Sequence, residues 1–293
     1  MVRRRLTSGL GLLVALVLVA GLSSRLASPI PIAQAAAPAL EGTPDEQLTV
    51  AADKIAAATA KGGSGFTFTV VSRSTLYQKE GGPLIEVPDP ADPYKVGGLA
   101  TEYYLGADIA EGIVTPAGYF LQMRAGPATK DEAPDFEKAE PTLAALVSDG
   151  KTYRNDGEGW YETADPPGIG LDPATIALLP SLLRDARDPT AEGTREVDGS
   201  VAAAIKATGD MAKAPGLMAI DAEAFTELGE RLTFALDAQG RLVEIGAVMR
   251  NTKVETFDLL VETVITIRYP VEPPTLPEPE PLLPDGPTVE VMP

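Results

Sequence analysis

No cysteine and no histidine occurs among the 293 residues of this chain. Without cysteine there is no disulfide, no thiol nucleophile and no lipid attached through an N-terminal Cys. Without histidine, Ser-His-Asp triads are excluded, and with both residues missing so are the usual zinc sites. Acid–base work falls to Asp, Glu, Lys and Tyr, and a metal would have only oxygen ligands. Aromatics are sparse, at 5%, with a single Trp. Positive charge is short as well: 24 Lys and Arg stand against 42 Asp and Glu, a formal charge of −18. Such an acidic body repels nucleic acid and anionic membrane surfaces, and favours solubility. Beyond residue 35 no stretch resembles a membrane span.

What is present begins with a leader. Arg3, Arg4 and Arg5 form a positive start, Leu10 to Leu22 is an uninterrupted apolar run, and Ala33-Gln34-Ala35 is a small-x-small cleavage site. The run is short for a bilayer span, which needs about 20 residues. Residues 1–35 therefore read as a cleaved export signal of the general route, the alternative being an uncleaved N-terminal anchor. Its removal takes away four Arg and no acid, which moves the formal charge from −18 to −22. The protein is then expected outside the cytoplasm, secreted or in the cell envelope, without a lipid anchor on Cys.

Residues 36–42 read as a linker, 43–270 as the body, and 271–293 as a Pro- and Glu-rich tail, disordered or polyproline in character. The body opens with Thr43-Pro44-Asp45-Glu46, a capping box with Pro in the first turn. Leu48, Ala51, Ile55 and Ala58 continue at helical spacing until Gly62-Gly63. A strand follows over 65–77, with Phe66, Phe68 and Val70 on one face. Residues 78–98 read as a long loop or lid, and Leu99, Tyr103 and Leu105 as one side of a short strand. In the strand 117–124, Tyr119, Leu121 and Met123 oppose Phe120 and Gln122. Ser148-Asp149-Gly150-Lys151 is a hairpin turn, and a second tight turn leads to Trp160 and Tyr161. Asp172-Pro173 starts a helix with Ile176, Leu179, Leu182 and Leu183, in which Pro180 predicts a kink or a split. Val197-Asp198-Gly199-Ser200 turns into the strand 201–208, and 220–225 reads as a short helical turn. Leu232, Phe234 and Leu236 lead through Asp237 to Gly240 into a partner strand over 242–251. A long strand over 254–269 closes the body.

Antiparallel strands with two helices, and no strand–helix alternation, predict an α+β fold. Its economical form is one large twisted sheet with the helices on one face, curled so that space remains between them.

The order of these turn motifs carries a family resemblance. Asp149-Gly150-Lys151-Thr152-Tyr153, Gly159-Trp160 and the Asp172-Pro173 helix are similar to the middle of the bacterial lipid-carrier lipoproteins of the LppX and LprG type, within the LolA-like superfamily. Val197-Asp198-Gly199, the hairpin from Leu236 to Leu242 and the ending Ile267-Arg268-Tyr269-Pro270 resemble that group in order and spacing. The resemblance spans residues 43–270. It implies a curved antiparallel half-barrel with helices over its concave face and an apolar cavity that holds the acyl chains of a lipid or acylated glycolipid. It also implies an envelope membrane or transport partner. The chain departs from the family at Val19-Ala20-Gly21, which is followed by Leu22 and not by Cys.

Carrying lipid needs no chemistry. Each buried methylene contributes about 0.8 kcal/mol, so a sixteen-carbon chain is stabilised by roughly 12 kcal/mol in an apolar pocket. Candidate wall residues are Phe66, Phe68, Val70, Tyr103, Leu105, Leu121 and Met123. Leu179, Leu182 and Leu183 are candidates for a helical cover, and Phe234, Leu236 and Ile245 for the far wall. Each of them also suits a dry core. A continuous void well above the ~1,000 Å³ of ordinary pockets would favour lipid. The expectation is a monomeric lipid-binding or lipid-transfer protein without catalysis, cofactor or metal.

Two other readings stay open. One is an envelope sensor or protein-interaction module on the same fold, with a filled core and an exposed apolar patch. The other is a carbohydrate-active enzyme using Asp156, Glu158 and Glu162 near Trp160. The carboxylates have no EF-hand spacing. Gly157-Glu158-Gly159 lacks the third Gly of a dinucleotide loop, and Phe66 stands where Ser64 would need a Gly to form a nucleophile elbow.

Overall fold

The first helix is written into four residues. In the computed structural model α1 (Pro44–Thr59) starts at Thr43, whose hydroxyl accepts from the Glu46 N–H while the Glu46 carboxylate accepts from the Thr43 N–H at 2.7 Å. The described residues are 40–89, 92–127, 129–164, 173–209, 227–252, 256–280, 282 and 283. The leader, the expected cap at Asp172 and the expected helical turn at 220–225 lie outside them.

The strands follow in chain order: β1 (Phe66–Gln78), β2 (Ile85–Asp89), β3 (Asp92–Ala100), β4 (Glu102–Thr115), β5 (Gly118–Ala125), β6 (Pro141–Ser148), β7 (Lys151–Asn155) and β8 (Trp160–Thr163). After α2 (Pro173–Arg184) come β9 (Arg187–Val197), β10 (Ser200–Thr208), β11 (Glu227–Leu236), β12 (Leu242–Asn251) and β13 (Phe257–Arg268). All but β2 and β3 form one eleven-stranded sheet, ordered β8-β7-β6-β5-β4-β1-β13-β12-β11-β10-β9. Its ladders are antiparallel, and its edges, β8 and β9, do not meet. The fold is therefore α+β, with an open antiparallel sheet and, among the described residues, two helices.

Turn chemistry sets the register. Asp149 and Asp198 sit at φ 52° and 48°, each followed by a Gly at positive φ. That is the type I′ pattern, whose twist matches two-residue hairpins, and Ser148 pairs with Lys151 and Val197 with Ser200 across them.

The sheet curves around α1. That helix touches β4, β12 and β9. Six strand spacings separate β4 from β9, about 29 Å if the sheet were flat, while a 16-residue helix is about 24 Å long. The two helices pack on each other, and Arg184 Nη2 reaches Asp53 Oδ1 at 2.6 Å. Beneath them one core joins Leu48 and Ile55 of α1, Leu179 and Leu183 of α2, and the inner faces of β1, β4–β6 and β10–β13.

Three expectations are corrected. Residues 78–98 are not one long loop: β2 and β3 pair as a separate two-stranded ribbon. α2 runs unbroken through Pro180, so there is no split. β9 is a strand of its own that its exposed, charged residues gave no period to reveal. The described part of the tail, residues 270–280, 282 and 283, has no regular structure beyond one bridge from Leu282 to Trp160.

Candidate functional site

Alternation along β1 puts Phe66, Phe68, Val70, Ser72, Ser74 and Leu76 on the inner face. The first three are sealed from solvent, and the last three are only half-buried. The same gradient recurs on the neighbours. On β5 Tyr119 and Leu121 are buried and Met123 half-open. On β13 Val261, Thr263, Ile265 and Ile267 are buried and Leu259 half-open. The helices sit at the sealed end, where α1 leads into β1 through the Gly65 N–H, which donates to Ala58 C=O at 3.0 Å.

Three rows of register partners lie toward the half-open end, partly accessible on β1 and β4 and mostly buried on β12 and β13. Tyr103, Leu76, Leu259 and Asn251 form one row; Gly106, Ser74, Val261 and Met249 the next; Asp108, Ser72, Thr263 and Ala247 the third. Ser72 Oγ and Thr263 Oγ1 are 2.9 Å apart. The floor is apolar with a few hydroxyls, and the exposed Asp108 stands at its border.

A polar rim lies on the β7–β8 side. Arg154 Nε donates to Asp156 Oδ1 at 2.7 Å, and Tyr161 Oη to Asp156 Oδ2 at 2.6 Å. Partial burial works against the Asp156 charge, yet the hydrogen bonds from Tyr161 and Arg154 and the guanidinium charge together hold its carboxyl below the usual range. Glu162 is the neighbour of Tyr161 and points to the other face, where it pairs with Lys151 at 2.8 Å. Of the carboxylates named for glycoside chemistry, Asp156 and Glu162 are thus engaged in different ion pairs, with Arg154 and Lys151 respectively.

The candidate wall residues divide. Phe66, Phe68, Val70, Leu121, Leu179, Leu182, Leu183, Phe234, Leu236 and Ile245 all join the packed core, and Met123 packs on its border. Tyr103 is half-buried opposite Leu76. Leu105 is corrected: it is 51% exposed. The register slips between Ser74 and Thr75, whose β4 partners are Gly106 and Tyr104. Leu105 is the extra residue of that bulge, so it leaves the face Tyr103 occupies. Ser72, Ser74, Leu76 and Leu259, half-buried on the same face, were not among the candidates. The signal for them was the same period of two, continued past Val70 on β1 and back from Val261 on β13.

Four clefts lined by described residues hold about 330, 360, 420 and 810 Å³. The first lies between Thr59 of α1, Ile176 and Ala177 of α2, and Val114 to Tyr119 at the β4–β5 turn, and the last is a shallow one along Glu278, Pro279, Glu280 and Leu282 of the tail. None of these four exceeds the ~1,000 Å³ of ordinary pockets. Leu84, Val96 and Leu99, on or beside the β2–β3 ribbon, join Leu105 as exposed apolar side chains.

No family model and no curated protein matches the chain. Among solved structures it is similar to LprF from Mycobacterium bovis, at 16% identity and a TM-score of 0.42, over 80% of this chain and 96% of that one. It is also similar to the lipoprotein LppX of Mycobacterium tuberculosis, at 16% identity and a TM-score of 0.37, over 78% of this chain and 100% of that one. A LolA superfamily protein from Nitrosomonas europaea is similar at 11% identity and a TM-score of 0.25, over 81% and 96% of the two chains. The architecture rests on the strand order, not on these likenesses.

Proposed function

We propose that this protein is an exported lipid-binding or lipid-transfer protein of the cell envelope, which holds acyl chains against the inner face of its sheet and performs no chemistry. The observation that carries this reading is the half-open end of that face. Eleven strands make a wall about 48 Å across, while helices of 16 and 12 residues are only about 24 and 18 Å long. The helices seal Phe66 and Phe68, and Ser74, Leu76, Met123 and Leu259 stay partly accessible. An alkyl chain lying along those residues removes apolar surface from water on both sides of the contact. Lipid or acylated glycolipid is the ligand class, and the leader at residues 1–35 directs the protein out of the cytoplasm. The test is mass spectrometry of an organic extract from protein purified without detergent. Copurifying acyl lipid is the expected result, and repeated clean extracts would refute the reading.

A second reading has an observation of its own. A packed core beneath the helices and the exposed Leu84, Val96, Leu99 and Leu105 are what an envelope interaction module on this fold would show. Clean extracts together with capture of an envelope protein that Leu99→Asp abolishes would favour it.

A further inference from the structure

An open sheet leaves two edges with unpaired N–H and C=O groups, each a template for another strand. This chain treats its edges differently. On β9, Pro189 has no N–H, two register shifts interrupt the pairing with β10, and Asp188 sits at φ 52°. Glu192, Arg195 and Glu196 add exposed charge, and α1 packs beside the strand. The β8 edge has only one of these devices, the exposed charge of Glu162. It is four residues long, Trp160-Tyr161-Glu162-Thr163, without Pro, Lys or bulge.

What reaches β8 is the end of the same chain. Leu282 forms a parallel bridge with Trp160, and the Leu283 N–H donates to the Trp160 C=O at 2.7 Å. Gly159 is shaped for this arrival. Its φ of +141° disfavours any side chain, and a Cβ there would lie 3.0 Å from Leu283 Cγ. Farther back, a Cβ on Gly118 would lie 3.1 Å from Leu276 Cδ1, which places the tail over the β4–β5 turn on its way. Six strand spacings separate β13 from β8, about 29 Å. The thirteen residues from Val271 to Leu283 reach roughly 40 Å when extended. Pro273, Pro274, Pro277 and Pro279 restrict the free chain and so lower the entropy lost on docking. Pro281 and Pro284, on either side of the docked pair, have no N–H to offer a further strand.

We infer that the Pro- and Glu-rich tail is a built-in cap for the β8 edge, and that without it two copies of this chain pair there, β8 to β8. The pairing is antiparallel and self-complementary, as a two-fold interface requires. Trp160 is the only Trp of the chain, so its fluorescence reports on this edge alone. Ending the otherwise unchanged chain at Pro270 is expected to shift Trp160 emission to the red in dilute solution and to give a concentration-dependent dimer in analytical ultracentrifugation. Leu283→Pro removes the one N–H that pairs with Trp160 and leaves the core untouched. It is expected to move both readings the same way by less, and it decides the matter if the shortened chain does not fold. A truncated chain that stays monomeric at every concentration overturns the inference, whether or not its emission moves.

Discussion

Gly112 illustrates how far a single residue constrains the inner face. A Cβ there would lie 2.3 Å from Phe68 Cζ and 2.5 Å from the Phe120 carbonyl oxygen. The backbone oxygen cannot give way, and the Phe68 ring is fully packed. Gly112→Ala is therefore expected to cost about 1–3 kcal/mol, the usual penalty for overpacking, read as a lower urea midpoint at unchanged slope. Gly112→Ala combined with Phe68→Leu should recover part of that loss, and equal losses in single and double variants would refute the contact. The glycine is visible in the sequence, but its reason is not. Nothing local says that Phe68 lies across it from the neighbouring strand. The same limit applies to Leu105. Its spacing from Tyr103 predicts a shared face, and a single bulge, caused by pairing with β1, reverses it.

At the scale of elements, local chemistry was the better guide. The capping box at Thr43 was legible because all its partners lie within four residues. Thr43→Ala is expected to lower stability by about 1 kcal/mol, with Thr43→Ser near wild type; denaturant unfolding of the three proteins checks it. The Asp-Gly turns were equally legible, since positive φ at two consecutive positions is a property of those residue types. Elements with no local signature were missed. β9 is almost wholly exposed and carries Pro189 and Gly193, so no alternation marks it. β2 and β3 sit among Gly, Pro and Asp, which read as loop, and acquire strand character by pairing with each other. α2 is the reverse case. Pro180 predicted a break, yet the helix continues through it, with Leu179, Leu182 and Leu183 buried on both sides of the proline.

At the scale of the whole molecule, function depends on how much of one sheet face two helices leave available. If that remainder holds an acyl chain, binding must stabilise the fold by mass action, by about 2.7 kcal/mol at a hundred times Kd. Added palmitate should raise the melting temperature of delipidated protein. Leu76→Asp, which puts a charge on the half-open end opposite the half-buried Tyr103 and Leu259, should abolish that rise and leave the ligand-free melting temperature within a few degrees. A rise that persists in Leu76→Asp would place the lipid elsewhere. Acidity, the exclusion of thiol and imidazole chemistry, and the period of most strands were readable from residue types and near neighbours, because each is a local or additive property. Strand order, the bulge at Leu105, the gradient from sealed to half-open along β1 and the return of the tail to β8 were not. They depend on which distant segments pair, and that choice is made by the shared core, where the two partners of β1 lie from 25 (Tyr77 to Glu102) to 201 residues (Thr67 to Arg268) away in sequence.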